Sequence, residues 1–326
     1  MSEPISLDGK AEDETLTKKE VLKSSIIDPK QQKAIWRNDY EKFRDFVGKS
    51  QREVKKDFRG HKPEEKIFIF SCLHIPFDRQ DLFVRSVEEA VADGCTTAVA
   101  AGDFIDCYGM CGAKFNKVKR FEFPLREEVK RADLYLQYLS EKFEKVYFLG
   151  GNHLERVRKF FAERVGPENL WLVRYDLLEF MTEPYGNFEV VRNSFRGNDV
   201  NWLWRHGDLV VTHREIGSGI PLRPTLATHD RLQNWQHVFG FNDDYRCLVE
   251  AHTHLLGQVT FLDGKYLLFE AGCLCKHPQY AMEAKFPYPF PQTCGYTVIA
   301  TDRGRVDFQN SYQRFFEYNI KYKEKL

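Results

Sequence analysis

The chain has 326 residues, 48 basic side chains against 48 acidic ones and 42% hydrophobic residues, enough to bury a core in one large domain with an appendage or in two smaller domains. Its formal net charge of zero excludes binding to nucleic acid or anionic membrane through bulk positive charge, and no apolar stretch reaches membrane-spanning length. Eight irregularly placed cysteines do not make a disulfide scaffold, so free thiols in a reducing, cytoplasmic setting are expected. The acidic, polar opening MSEPISLDGKAEDE has the character of neither a secretory signal nor a transit peptide.

In chain order, residues 1–27 lack hydrophobic periodicity and are expected as a flexible tail. Asp28 is placed to cap a helix with Pro29 in its first turn. Ala34, Trp36, Tyr40, Phe43, Val47, Val54 and Phe58 then recur at helical spacing, so 28–62 reads as an amphipathic helical extension with a solvated basic face. Next comes an alternating stretch: strand at Lys66 to Phe70, helix at Asp81 to Asp93, strand at Thr96 to Ala101, helix at Leu125 to Phe143, strand at Val146 to Leu149. That order implies parallel pairing with helices over a face. The later half reads as short strands at Phe188 to Val191, Val200 to Arg205, Leu209 to Thr212, Arg246 to Glu250, Gln258 to Phe261, Tyr266 to Glu270 and Tyr296 to Ala300, with one helix near Thr225 to Val238. A main domain over 66–311 and a C-terminal tail over 312–326 are expected.

Polar clusters sit where these strands end, which is where open α/β sheets place ligands. They are Ser71-Cys72-Leu73-His74, Gly102-Asp103-Phe104-Ile105-Asp106, Gly151-Asn152-His153-Leu154-Glu155, Val211-Thr212-His213 and Ala251-His252-Thr253-His254. Converging imidazole and carboxylate donors suit manganese, iron or zinc; calcium or magnesium favours oxygen donors alone.

This order of blocks resembles the calcineurin-like metallophosphoesterase superfamily, whose pattern is D-x-H, G-D-x-x-D, G-N-H-[DE], a lone His and G-H-x-H, over residues 66 to 275. The resemblance implies a four-layer αββα sandwich of two mixed β-sheets flanked by helices, with two divalent metal ions between the sheet edges. It assigns His74, Asp103 and His254 to one ion and Asp103, Asn152, His213 and His252 to the other, Asp103 bridging. It further implies hydrolysis of phosphate mono- or diesters by a metal-bridging hydroxide, with His153 as general acid and Asp106 orienting it. Two positions depart from the pattern without touching a ligand: the acid after His153 is one place late, at Glu155, and Ala251 stands for glycine.

The third departure does touch one. Cys72 occupies the place of the first aspartate, and two readings stand: a thiolate ligand that favours zinc or ferrous iron, or a buried cysteine that binds nothing. Arg156 and Arg158, after His153, are candidates for binding substrate phosphate. The loop carrying Lys114, Lys117, Lys119, Arg120 and Arg126 among Phe115, Phe121 and Phe123 is read mainly as a solvated loop, with a grip on nucleotide or single-stranded nucleic acid as the alternative. Cys107, Cys111, Cys273 and Cys275 are expected to pack rather than bind metal, because Cys273-Leu274-Cys275 lacks structural-zinc spacing. The other class of function is a catalytically weak metal-binding interaction module of the same fold. If Cys72 does the aspartate's work, Cys72→Asp keeps or raises manganese-supported hydrolysis; a folded Cys72→Asp protein with no activity refutes that equivalence.

Overall fold

The computed structural model describes residues 39–45, 47, 63–110, 124–166, 176–191, 193–195, 198–200, 203–213, 220, 222–239, 245–276 and 292–316. The expected flexible tail and the basic, aromatic loop before Arg126 lie outside the described residues, as do His61, Cys111 and His277. The chain divides into two compact units, Met1–Arg44 and Asp45–Leu326. In the first, residues 39–44 are helical and the rings of Tyr40 and Phe43 lie 6.4 Å apart.

The second unit contains two mixed sheets. The larger has six strands in the order β13-β12-β1-β2-β3-β4, formed by Arg305–Phe315, Gly295–Asp302, Glu65–Phe70, Thr97–Ala101, Lys145–Leu149 and Phe188–Val190. The smaller has the order β10-β11-β9-β8-β7, from Leu256–Phe261, Tyr266–Ala271, Cys247–Glu250, Leu209–Thr212 and Leu203–His206. A separate pair, β5 (Asn193–Phe195) and β6 (Asn198–Val200), is antiparallel. Strands β1, β2, β3 and β4 run parallel, as do β8, β9 and β11.

The sequence IFIF in β1 shows why the sheets stack. Side chains alternate across a strand, so Ile67 and Ile69 enter the core between the sheets with Val99, Val211, Val249, Phe269 and Ile299. Phe68 and Phe70 leave on the other face, where Phe70 meets Phe83 of α1 (Gln80–Ala92) at 5.6 Å and Phe68 meets Phe143 at 5.7 Å. Along with α1, the helices are α2 (Leu125–Lys142), α3 (Glu155–Val165), α4 (Leu177–Thr182) and α5 (Arg223–Phe239). Helix α5 packs on β9 and β11 of the smaller sheet, so helices flank both sheets and the expected αββα sandwich is present.

Three expectations need correction. Val200 to Arg205 is not one strand: β6 ends at Val200 and β7 begins at Leu203. Residues 312–315, expected in the tail, finish β13, which pairs with β12 as Tyr312 with Val298 and Phe315 with Gly295. Helices α3 and α4 were not anticipated, although Val157, Phe160, Phe161 and Val165 recur along α3 at helical spacing; of these α3 buries only Val157.

Behind the exit of β2, Glu128 of α2 is 1% exposed and accepts the backbone N–H of Tyr108 and of Gly109 at 3.1 and 3.0 Å. Burial, with a further push from Asp106, raises its carboxyl to about 7. A carboxyl raised in the folded state contributes stability that is fully present below its ordinary value of 4.5 and lost as pH rises through about 7. Glu128→Gln is therefore expected to remove about 3 kcal/mol of the fall in stability across that window, in urea titrations at several pH values; equal pH slopes in both proteins would refute the assignment.

Candidate metal centre

The polar clusters meet at the carboxyl ends of the parallel strands: β1, β2 and β3 from one sheet, β8 and β9 from the other. Their loops stay paired past the last ladder bond, with Cys72 N donating to Gly102 O at 3.2 Å, His74 N to Asp103 O at 2.9 Å and Ala251 N to Thr212 O at 2.9 Å. The chain must turn sharply here to aim donors inward. Cys72, His74, Asp103, His252 and His254 all have left-handed backbone, with φ of 51°, 49°, 46°, 83° and 60°, a conformation that costs a non-glycine residue about 1–3 kcal/mol.

Asp103 is the centre of the arrangement. Its Oδ2 lies 3.1 Å from His213 Nε2 and 3.8 Å from His74 Nε2, between two groups of donors. On one side His74 Nε2 and His254 Nε2 face each other at 2.9 Å, and the Cys72 sulfur lies within 4.8 Å of both imidazoles. On the other, Asn152 Oδ1 is 3.3 Å from His213 Nε2 and 3.1 Å from His252 Nδ1. The structure thus brings together all seven of the ligands expected from the sequence, Cys72 among them.

Two glycines make the approach possible. A Cβ on Gly151 would lie 2.0 Å from Asp103 Oδ1, and one on Gly102 would lie 2.3 Å from His213 Nδ1. Ring tautomers are set from behind: His213 Nδ1 is 2.9 Å from Ala101 O and His74 Nδ1 is 3.1 Å from Asp106 Oδ2, which leaves each Nε2 lone pair facing Asp103. Glu270 holds the loop that carries His252 and His254 by hydrogen bonds to the Thr253 side chain and to Leu222 N.

Protonation follows the same geometry. Burial disfavours the Asp103 carboxylate, but His153 and His213 outweigh it and hold its carboxyl well below the usual range. Burial and the neighbouring His213 bring His252 down to about 4, and burial with His74 pushes His254 well down. Those imidazoles are neutral near pH 7, the form that binds metal. Burial, with Asp103 nearby, pushes the Cys72 thiol up. A neighbouring divalent cation reverses that preference and favours the thiolate. His213 shifts the other way from His252 and His254: burial works against its imidazolium, yet Asp103 raises its pKa. Together the imidazoles, the buried carboxylate, an amide oxygen and a thiol make a donor set that fits a pair of divalent ions.

His153 and Asp106 sit beside the cluster. His153 Nδ1 is 3.1 Å from Asp106 Oδ2; burial works against the imidazolium, yet Asp103 and Asp106 raise its pKa. Asp106 does more than orient His153, since the same oxygen serves His74. Arg156 is drawn in too: Nη1 donates to Asp106 O and Oδ1 at 2.9 and 2.5 Å, and Nη2 is 3.3 Å from His153 Nε2. Arg158 pairs instead with Glu155 on an exposed surface and does not join the converging groups. Two other histidines lie apart from the cluster: His206 pairs with Glu65 at 2.9 Å, and His229 is buried with Nδ1 2.6 Å from the Tyr245 hydroxyl. The sequence reading missed that Cys273 and Cys275 close on His254, although their C-x-C spacing at a strand exit was the available signal.

No family model matches the chain, and no curated protein matches it. Among solved structures, a conserved uncharacterized protein of Streptococcus pneumoniae described as a predicted phosphoesterase is 12% identical, covering 77% of this chain and 98% of its own, with a TM-score of 0.29. A hypothetical protein of Pyrococcus horikoshii is 10% identical over 77% of this chain and 87% of its own, with a TM-score of 0.40. Vps29 of Entamoeba histolytica, in complex with zinc, is 12% identical over 77% and 99%, with a TM-score of 0.31. The chain itself has two mixed sheets, with the polar clusters in their expected order at the strand exits.

Gly151→Ala would press on both the Asp103 carboxylate and its backbone nitrogen, with the new Cβ 2.0 Å from Oδ1 and 2.5 Å from N, and so displaces Asp103 as a whole. The expected result is a folded protein by circular dichroism whose affinity for manganese or zinc in equilibrium dialysis falls at least about tenfold; unchanged affinity would show that Asp103 is not a ligand.

Proposed function

We propose that the chain is a dinuclear-metal phosphoesterase that hydrolyses phosphate mono- or diesters in the cytoplasm. The observation that carries the reading is the position of Asp103 Oδ2 between the Cys72–His74–His254 group and the Asn152–His213–His252 group. Two divalent ions, when bound there, supply Lewis acidity to the phosphate oxygens and lower the pKa of the attacking water. Manganese, iron and zinc all suit the nitrogen and oxygen donors, and Cys72 tilts the first position toward zinc or ferrous iron.

The chain's own groups do the rest. Asp106, fixed by Arg156 and His74, accepts a hydrogen bond from His153 Nδ1–H, which holds the ring with Nε2 free to serve the substrate and supports its protonated form. Water attacks phosphorus, the ester P–O bond breaks, and His153 Nε2 gives its proton to the leaving alkoxide. Arg156 Nη2 and His153 Nε2, 3.3 Å apart, are spaced so that both can donate to one anionic oxygen, which makes Arg156 the phosphate-binding arginine and leaves Arg158 without that role. The seven described cysteines are free, in keeping with a reducing compartment, and no helix among the described residues is long and apolar enough to cross a membrane.

The interaction-module reading is favoured by one feature, the thiol in place of the first carboxylate. A metal-loaded protein inert toward p-nitrophenyl phosphate, its bis ester, DNA and RNA would establish it. For the enzyme, His153→Gln is expected to lower kcat by about 100-fold or more for an alkyl phosphate, whose leaving group needs a proton, and by far less for p-nitrophenyl phosphate, with metal content unchanged. Equal losses on the two substrates would remove His153 from the acid role.

A further inference from the structure

The two nitrogens of His254 face different donors. Nε2 looks toward His74, at 2.9 Å from its Nε2; Nδ1 looks the other way, 4.0 Å from Cys275 Sγ. A ligand atom of His254 and the sulfurs of Cys273 and Cys275 all lie within 4.8 Å of one another, and neither thiol has any exposed surface. The phosphoesterase reading gives these sulfurs no work.

The backbone builds this grouping. Beyond the end of β11, Cys273 bridges to Cys294 and Cys275 to Asp78, with a bend at Leu274 between them, and this pinned path brings the two sulfurs to the same imidazole. Thr293 ties the thiol loop to the histidine loop, with its N–H donating to His254 O at 2.7 Å and its carbonyl accepting from Cys273 N at 3.1 Å. Leu274 N also donates to Cys72 O at 3.3 Å. Three elements are thus fixed around one buried point, and the donors are positioned before any ion arrives.

We propose that His254 Nδ1, Cys273 and Cys275 form a third metal site, selective for zinc, on the far side of the His254 ring from the paired ions. Two sulfurs and an imidazole nitrogen make a soft donor set that zinc prefers and manganese or magnesium avoids. Cys294, whose side chain hydrogen-bonds that of Cys273, is the adjoining thiol for a fourth position. On binding, Cys273 and Cys275 each release a proton and bind as thiolates. When Nε2 also serves the ion beside His74, the Nδ1 proton leaves too and the ring bridges as an imidazolate. Filling the thiol site then fixes the ring that the neighbouring ion shares, without depending on hydrolysis.

The test uses the full chain loaded with one equivalent of zinc, with X-ray absorption at the zinc edge to count sulfur neighbours at about 2.3 Å. At least two sulfurs per zinc are expected. One sulfur would place zinc on Cys72, none would place it on the Asn152 side, and either count overturns the proposal. In cobalt-substituted protein, the sulfur-to-cobalt charge-transfer band is expected to keep most of its intensity in Cys72→Ser and to fall to at most the contribution of Cys72 in Cys273→Ser/Cys275→Ser, which should also bind one ion fewer; the opposite pattern refutes it. The absorption measurement on the unaltered chain decides the question if the double variant does not fold. Asp103→Asn disables the paired-ion site and should keep the band, so the thiol site stands or falls separately from the phosphoesterase reading.

Discussion

A carboxylate without water around it governs this molecule. Asp103 is 2% exposed, and an isolated buried charge of that kind is untenable unless its surroundings supply compensating charge or hydrogen bonds. His74, His153 and His213 approach its Oδ2, and the backbone N–H of His153 donates to Oδ1 at 3.1 Å. Those partners come from both sheets. The glycines at positions 102 and 151 and the turns at the strand exits are what let both stacked sheets bring their groups to one oxygen.

The turns show where stability has been given up for geometry. Five ligand candidates occupy left-handed backbone, a conformation that nothing in strand propensity favours. The core between the sheets, built from Ile67, Ile69, Val99, Val211, Val249 and Phe269, is what holds them there. A catalytic or binding site of this type is affordable only on such a scaffold. Asp106 adds economy to the arrangement, since one carboxylate orients the His74 ligand, the His153 acid and the Arg156 guanidinium together.

Much of this was legible in the sequence. IFIF followed by Ser71-Cys72-Leu73-His74 announces a buried strand with donors at its exit, and the same texture recurs at Asp103, Asn152, His213 and His252, so the ligand set could be read in order. What could not be read depended on distant partners or on weak local signals. Helix α3, ERVRKFFAERV, carries Val157, Phe160, Phe161 and Val165 at helical spacing yet buries only Val157, so its existence was legible and its packing was not. The end of β13 was taken for a tail because its strand character comes from pairing with β12. Arg158 looked as suited to phosphate as Arg156; only the helix phase after His153, three residues on rather than five, separates them. Cys273 and Cys275 offered a C-x-C pair at a strand exit, but their convergence on His254 depends on pairing with a distant segment, Cys273 with Cys294, which local spacing does not reveal.

The placement of the ligands on both sheets has a mechanical corollary. His74, Asp103 and Asn152 hang from the larger sheet and His213, His252 and His254 from the smaller, so any ion they share is a clasp across the interlayer core. An ion that binds the folded chain alone, at a free concentration 100 times its Kd, adds about 2.7 kcal/mol to the resistance against separating the layers. With an ion in place, thermal tolerance would follow the divalent-ion supply, and chelation would loosen the sandwich at the edge where the two sets of donors meet.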